Sequence, residues 1–277
     1  MSKMVNVQFV ALSALAALAA TAVASVSSSP VVGGSGIVVE YSARDVRFCD
    51  GPMTLALRPG PPRCRNAIRV KGVDLSRLRD RVSRRGTTSG LAYLAGTFEN
   101  GTLTVVLQGA PKPGVSSGPF LRRPPCAAPR GGWATGPSST SASGALDAYR
   151  ARFPADVAAV AIFHPASGAS VTTVASTNAA RTRAMLSPSF RRRLCVVRSR
   201  YRAVVVRKTK ASLTALLRRS SSPGGRYEMT GVGLTVSEQG QPRVLVEALV
   251  ETSGLRRVVA SKPAGLVEVV PWLRPVR

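Results

Sequence analysis

The residues with the clearest chemical potential in this 277-residue chain are cationic. From Val157 to Tyr227 there are fourteen Arg and Lys and not one Asp or Glu. Within that span Arg191, Arg192, Arg193, Arg198, Arg200, Arg202, Arg207, Lys208 and Lys210 follow one another closely, with Tyr201 among them. A guanidinium presents a rigid fork of donors that matches phosphate or carboxylate two bonds at a time, so the chemistry on offer is polyanion binding. The formal net charge is +26, from 39 Lys and Arg against 13 Asp and Glu, and a field of one sign attracts polyanions at the cost of some self-repulsion. Part of the excess is compositional, because Ala, Arg, Gly, Pro and Val are what GC-rich codons supply. A solvated Arg-rich face is therefore the competing reading. Nucleic-acid modules interleave several aromatics for base stacking, whereas the stretch from Arg191 to Lys210 has Tyr201 alone.

Other chemistries find little material. A Ser-His-Asp triad needs a histidine presented beside a serine and an acid. The single histidine lies in Phe163-His164-Pro165 at an expected strand end, and Val31-Val32-Gly33-Gly34 is followed by no Gly-Asp-Ser-Gly. The thirteen acids are scattered, which argues against paired carboxylates for acid–base work. Gly33-Gly34-Ser35-Gly36 reads as a flexible spacer rather than a phosphate loop. No catalytic residue, cofactor or metal is expected. None of the four cysteines, Cys49, Cys64, Cys126 and Cys195, stands in a Cys-x-x-Cys pair, and one histidine makes a zinc site a poor fit. Cys49 and Cys64 close a short loop containing Gly51 and the Pro61-Pro62 turn, so a disulfide is expected there, contributing ~3 kcal/mol in the loop-closure description. Cys126 sits in a Pro-rich stretch and Cys195 in an apolar strand; pairing and two separate thiols both stay open.

The N-terminus gives the compartment. Lys3 precedes an apolar run from Phe9 to Ala24 built of Ala, Val and Leu, a signal-peptide layout. Cleavage is expected before Ser25, or before Val23 in the neighbouring frame. The alternative is an uncleaved anchor, since counting on through Val26 approaches the ~18 residues that can begin to span a bilayer. No cysteine follows the run closely enough for lipid modification. An exported chain, secreted or held at the cell envelope, also suits four cysteines.

The elements that must position the cations read as α+β. Residues 1–24 are the leader and 25–35 a spacer. Residues 36–108 alternate as short strands at Ile37–Tyr41, Met53–Leu57 and Ala67–Val73. One or two helical turns follow at Leu75–Val82, then a hairpin of Leu91–Phe98 and Leu103–Leu107 about Asn100-Gly101. Asn-Gly supplies the positive φ angles of a type I′ turn. Such a set predicts a small OB-like β-barrel module. Residues 109–144 are Pro, Gly and Ser-rich and read as a linker, ending at Ser143 as N-cap of a helix over Ala145–Phe153 that Pro154 stops. Residues 145–277 hold an internal repeat offset by 72: Val160, Ile162, Gly168, Val174, Leu194 and Val197 map onto Val232, Leu234, Gly240, Val246, Leu266 and Val269. Each copy reads strand, turn, strand, helix, strand. The first comprises Val157–Phe163, Ser170–Val174, Ala179–Leu186 and Leu194–Val197. The second comprises Met229–Val236, Arg243–Leu249, Ser253–Ala260 and Leu266–Val270. A helix over Arg202–Arg219 joins them, and two ββαβ units together bury the faces that each leaves bare.

These pieces resemble known proteins. Phe48-Cys49-Asp50-Gly51 leading to Pro61-Pro62 and Cys64, Val73-Asp74, and Gly96-Thr97-Phe98 before Asn100-Gly101-Thr102-Leu103-Thr104-Val105 are similar to the front module of a group of uncharacterised secreted or lipid-anchored actinobacterial proteins. Leu146-Asp147-Ala148-Tyr149, Leu194-Cys195-Val196-Val197-Arg198 and Leu273-Arg274-Pro275-Val276 are similar to its back module. The motifs are structural and imply no chemistry. The duplicated ββαβ layout also resembles the pro-regions of secreted bacterial serine proteases, which act as folding helpers and inhibitors; here the sequence ends at Arg277 with no protease after it. The combined expectation is an exported, non-catalytic cell-envelope protein that binds an anionic surface polymer or the membrane surface through its Arg-rich face. The alternatives are a pro-region-like partner of a secreted serine protease acting in trans and, second, nucleic-acid binding. The sequence sets no oligomeric state.

Overall fold

A computed structural model describes residues 30–50, 67–84, 86–112, 121, 123–135, 140–219 and 227–276. The chain is α+β, with thirteen strands and four α-helices among the described residues. The first part comprises β1 (Val31–Ser42), β2 (Asp45–Cys49), β3 (Ala67–Lys71), β4 (Arg79–Arg84), β5 (Thr87–Glu99) and β6 (Thr102–Gly109). Then come α1 (Thr140–Arg152), β7 (Val157–Phe163), β8 (Val171–Ser176), α2 (Ala179–Phe190), β9 (Leu194–Arg198) and α3 (Ala203–Arg219). The last part holds β10 (Met229–Val236), β11 (Pro242–Ala248), α4 (Ser253–Ala260), β12 (Val267–Pro271) and β13 (Arg274–Pro275).

The front sheet runs β13-β1-β2-β3-β6-β5-β4, and β1 also pairs with β5. The pairings β1–β2, β2–β3, β3–β6, β6–β5 and β5–β1 return to their start, so the sheet is partly ring-like. All of these are antiparallel except β3–β6. The β5–β6 turn places Asn100 at φ 48° and Gly101 at φ 73°, as the Asn-Gly dipeptide predicts. Three expectations need correction. Gly33-Gly34-Ser35-Gly36 is no spacer but the first half of β1, running antiparallel to Tyr93–Ala95 and its neighbours. Glycine is required there by crowding: a Cβ on Gly36 would lie 2.3 Å from the Cys49 carbonyl oxygen, and one on Gly33 2.5 Å from Tyr93 Oη. Leu75–Val82 forms only a 3-10 turn at Leu75–Arg77, capped by the Asp74 carboxylate, which accepts from Ser76 N at 2.9 Å and Ser76 Oγ at 2.6 Å. The chain then extends as β4, because β6 leaves the Thr87–Leu91 end of one β5 edge unpaired and β4 fills it. Thirdly, Ser143 is not an N-cap; α1 begins at Thr140. The expected strand Met53–Leu57 and the leader lie outside the described residues.

Behind this sheet stand two three-stranded sheets, β7-β8-β9 and β10-β11-β12. In each the first pair is antiparallel and the second parallel, with a helix as the crossover that parallel strands require. Val160 faces Val174 and Val232 faces Val246, which keeps the offset of 72. Gly168 and Gly240 both take positive φ, 73° and 77°. In the closing strands the offset changes. Thr172 faces Leu194 and Val174 faces Val196, while Val244 faces Val267 and Val246 faces Val269. Leu194 therefore takes the register position that Val267, and not Leu266, takes in the second sheet, an offset of 73. Helix α3 packs Ala203, Val206 and Leu213 into a core with Met229, Val244, Val246, Leu255 and Leu266.

Two long-range closures tie these parts together. The chain after β12 returns to the front sheet: β13 pairs with β1, and Trp272 and Leu273 are buried with Val38, Phe48, Ile68 and Leu94. Residues 123–135, within the expected linker, are irregular but pinned, because Cys126 and Cys195 form a disulfide with a Cα–Cα separation of 5.7 Å. Trp133 and Leu121 pack on the core around Phe163 and Val171. Cys49 is itself disulfide-bonded; Cys64, and with it the expected Cys49–Cys64 bridge, lies outside the described residues.

Candidate functional site

Helix α3 carries Arg207, Lys208, Lys210, Arg218 and Arg219 and no acid. Its apolar stripe of Ala203, Val206, Thr209 and Leu213 is buried, which turns the remaining faces outward. Arg207, Lys210, Thr214 and Arg218 are spaced by three, four and four residues, so they form one row along a flank. With Ala211 and Ala215 they line an open groove of about 310 Å³. The row is about 16 Å long at 1.5 Å per residue. Arg207 Nη1 donates to the Pro154 carbonyl at 2.6 Å, which fixes the end of the row nearest α1. Among the described residues Lys208 and Lys210 meet no carboxylate.

The other expected cations fall at two ends of β9. Arg198, Arg200 and Arg202 lie exposed at and after its C-terminal end. Arg200 Nη2 donates to Tyr201 Oη at 2.6 Å and to the Ala264 carbonyl at 3.3 Å, and Arg243 donates to the Gly265 carbonyl beside it. Arg191, Arg192 and Arg193 form a 3-10 turn before β9, about 16 Å away at the ~3.3 Å rise of a strand. Two of these three serve the fold. Arg192 Nη1 donates to the Gly131 carbonyl at 2.8 Å, and Arg193 donates from Nε to the Ala134 carbonyl at 3.3 Å and from Nη2 to the Thr135 carbonyl. Arg191 makes no such side-chain bond among the described residues and is exposed. Beside it, residues 126–133 and the β9 edge enclose a second cleft of about 290 Å³.

The tertiary structure also assembles groups that the sequence does not announce. Arg183 and Trp133 join Arg191 and Arg192 at the second cleft; nothing in their local sequence marks them. Arg218 joins the α3 row, and helical spacing from Arg207 would have found it. Asp156, buried, accepts from Tyr149 Oη at 2.6 Å and from Arg181 Nε and Nη2 at 2.9 and 2.8 Å. Thr182 Oγ1 lies 2.9 Å from Tyr149 Oη and 2.7 Å from Ser176 Oγ, completing the network. Burial first, and the bond to Asp156 second, raise the Tyr149 phenol above its ordinary value. Half-buried Asp50, just after β2, feels the charge of Glu247 in β11. Burial, and then the Glu247 charge, hold its carboxyl above the usual range. His164 is exposed, with Nδ1 3.3 Å from Ser170 Oγ. Among the described residues no group of three or more His, Cys, Asp and Glu is placed to hold a metal, and no helix is long and apolar enough to cross a membrane. No protein-family model, curated protein or solved structure matches this chain.

Proposed function

We propose that the chain is an exported, non-catalytic binding protein of the cell envelope whose cationic surface, centred on α3, holds an anionic polymer or membrane surface. The observation that carries the reading is the α3 row. Arg207, Lys210 and Arg218 stand on one flank of a helix without a single acid and line an open groove together with Ala211, Thr214 and Ala215. A row of that length suits a repeating anion better than a compact one, and the apolar stripe beneath it keeps the cations from turning inward. The finer architecture belongs to the same proposal. The strand order of the front ring, with β3 and β6 its one parallel pair, supports an OB-type barrel. Two ββαβ sheets of equal order, sharing the Val160–Val174 and Val232–Val246 registers, support a duplicated module. The likeness to secreted actinobacterial proteins rests on the residues quoted above.

Binding through charge alone releases counterions, so its affinity falls steeply with salt. Co-sedimentation with phosphatidylglycerol vesicles and with a poly(glycerol phosphate) polymer should show that dependence. Reversing Arg207, Lys210 and Arg218 to Glu should flatten it and weaken binding at low salt by at least about tenfold, three charges at up to ~1 kcal/mol each near an anionic surface. Reversing Arg79, Arg81 and Arg84, three exposed cations on β4, should leave more than half of the binding free energy in place. Equal losses from both triple variants would reduce the basic surface to composition. A salt-insensitive complex with a secreted serine protease would instead favour the pro-region-like reading, since such contacts are apolar and run along strand edges.

A further inference from the structure

The cleft beside the Cys126–Cys195 disulfide is separate from the α3 row and differently built. Leu194 and Val196 of β9 form an apolar floor, Trp133 stands in one wall, and Arg183, Arg191 and Arg192 ring the opening. The Trp133 wall is held at both ends. At one end the disulfide ties Cys126 to Cys195. At the other, Arg192 and Arg193 bond the carbonyls of Gly131, Ala134 and Thr135, and Ala134 N donates to the Arg192 carbonyl at 3.2 Å. A wall fixed in advance has little ordering entropy left to lose on binding.

Three guanidiniums lie at the opening, and among the described residues no carboxylate pairs with any of them. Arg183 spends Nη2 on the Val196 carbonyl and Arg192 spends Nη1 on the Gly131 carbonyl, which leaves each most of its five donors. Arg191 spends none. Its backbone adds an independent observation, for it sits at φ 51° and ψ −130°, the corner of a type II′ turn where glycine is the favoured residue. A side chain held in strained backbone at the rim of a cleft points to use rather than to folding. Glycine would close α2 more cheaply there, and only the guanidinium would be lost.

We propose that this cleft binds a small phosphate monoester carried on a single ring, with the phosphate among Arg183, Arg191 and Arg192 and the ring against Trp133 above the Leu194–Val196 floor. A dianion matches three cations better than one carboxylate does. The half-buried indole of Trp133 offers an apolar face. The volume stands at the small end of ligand sites, which fits one ring and not a polymer segment. The site is thus discrete, and goes beyond the extended polyanion surface proposed for α3.

Calorimetric titration of the full chain at physiological ionic strength tests this with glucose 1-phosphate, uridine monophosphate, inorganic phosphate and glucose. At least one of the two ring phosphates should bind about tenfold or more tighter than inorganic phosphate, its identity naming a sugar or a base as the ring, and glucose should give no heat. Arg191→Gly should raise the melting temperature, by relieving the backbone, while weakening the ring phosphate about tenfold, as loss of a charged hydrogen-bond partner does. Trp133→Leu should bring the ring phosphate down to the affinity of inorganic phosphate and leave the latter unchanged. The triple reversal on α3 should leave this binding intact, so the site stands or falls apart from the polyanion surface. Ring phosphates that bind no tighter than inorganic phosphate, or an Arg191→Gly protein that folds and keeps full affinity, would overturn the proposal.

Discussion

Asp50 shows how one residue can be costly in a way its sequence hides. It follows a disulfide-bonded cysteine at the end of β2, and the fold lays it half-buried near Glu247. Burial and the neighbouring charge raise its carboxyl above the ordinary value of 3.8. Below that value the side chain is protonated in folded and unfolded chains alike, and neither state is favoured. As pH rises through the ordinary value and on through the raised one, the unfolded chain ionises freely while the folded one ionises against burial, so stability is lost across that window. Asp50→Asn should therefore melt above the parent at neutral pH, with the gap closing as the pH falls below the ordinary carboxylate range. Melting temperatures of the two proteins across pH 3 to 7, roughly the span that the carboxylate window covers, provide the check; an Asn variant less stable than the parent at neutral pH would refute the assignment. Neither the burial nor the Glu247 neighbour was legible, because residues 197 positions apart meet only through tertiary packing.

At the scale of elements, the network about Asp156 locks α1 and α2 onto the first three-stranded sheet. Tyr149 comes from α1, Arg181 and Thr182 from α2, and Ser176 from the end of β8. The Arg181 guanidinium also lies 4.5 Å from the centre of the Phe153 ring. Asp156→Ala takes the acceptor from the Tyr149 hydroxyl and the partner from the Arg181 guanidinium and should cost about 3 kcal/mol, the low end for breaking a buried pair. The side chain of Arg181 is 43% exposed and can recover water, which keeps the loss from being larger. Urea unfolding should report it, and a cost below about 1 kcal/mol would mean the network is no lock. The equivalent place in the second sheet is Glu228, and both backbone carbonyls accept from the residue just after the neighbouring strand, Thr177 or Leu249. Arg181 maps onto Ser253, so the arginine at this place is particular to the first sheet. Strong periodicity made β7, β10 and α4 legible to the residue, and the Asn-Gly turn placed the hairpin, although β5 and β6 run beyond the expected Leu91–Phe98 and Leu103–Leu107. Strands β2 and β4 went unread because Asp45–Cys49 and Arg79–Arg84 are extended by their neighbours, not by alternation of their own: all six residues of β4 are exposed.

For the whole molecule, the decisive contact joins its two ends. Trp272 Nε1 donates to the Ser35 carbonyl at 3.0 Å and its ring lies 4.7 Å from that of Phe48. Val276 N donates to the Val31 carbonyl at 3.0 Å. The front sheet thus takes an edge strand and part of its core from residues more than two hundred positions later in the chain. Trp272→Ala removes a large buried side chain from that shared core and should cost about 4 kcal/mol. The loss should be felt across the front sheet as well as at the C-terminus. Hydrogen exchange at the amides of Val38, Phe48 and Leu94 should accelerate together with those of β13. Unchanged protection in the front sheet would show that the two ends fold independently.

What the sequence by itself determined is local. Alternation and helical spacing marked most strands and helices, the Asn-Gly pair marked a turn, the apolar leader set an expectation of export, and the absence of acids from Val157 to Tyr227 marked the basic surface. Each of these depends on neighbours within a few residues, where period and propensity act directly. Tertiary structure alone decided the rest. It paired Cys126 with Cys195, spent Arg192 and Arg193 on the carbonyls of Gly131, Ala134 and Thr135 while leaving Arg191 open, and inserted Trp272 beside Phe48. These contacts bridge from about sixty to more than two hundred residues. Such closures are chosen by which surfaces the assembled sheets leave exposed to one another, and no periodicity in the chain encodes that choice.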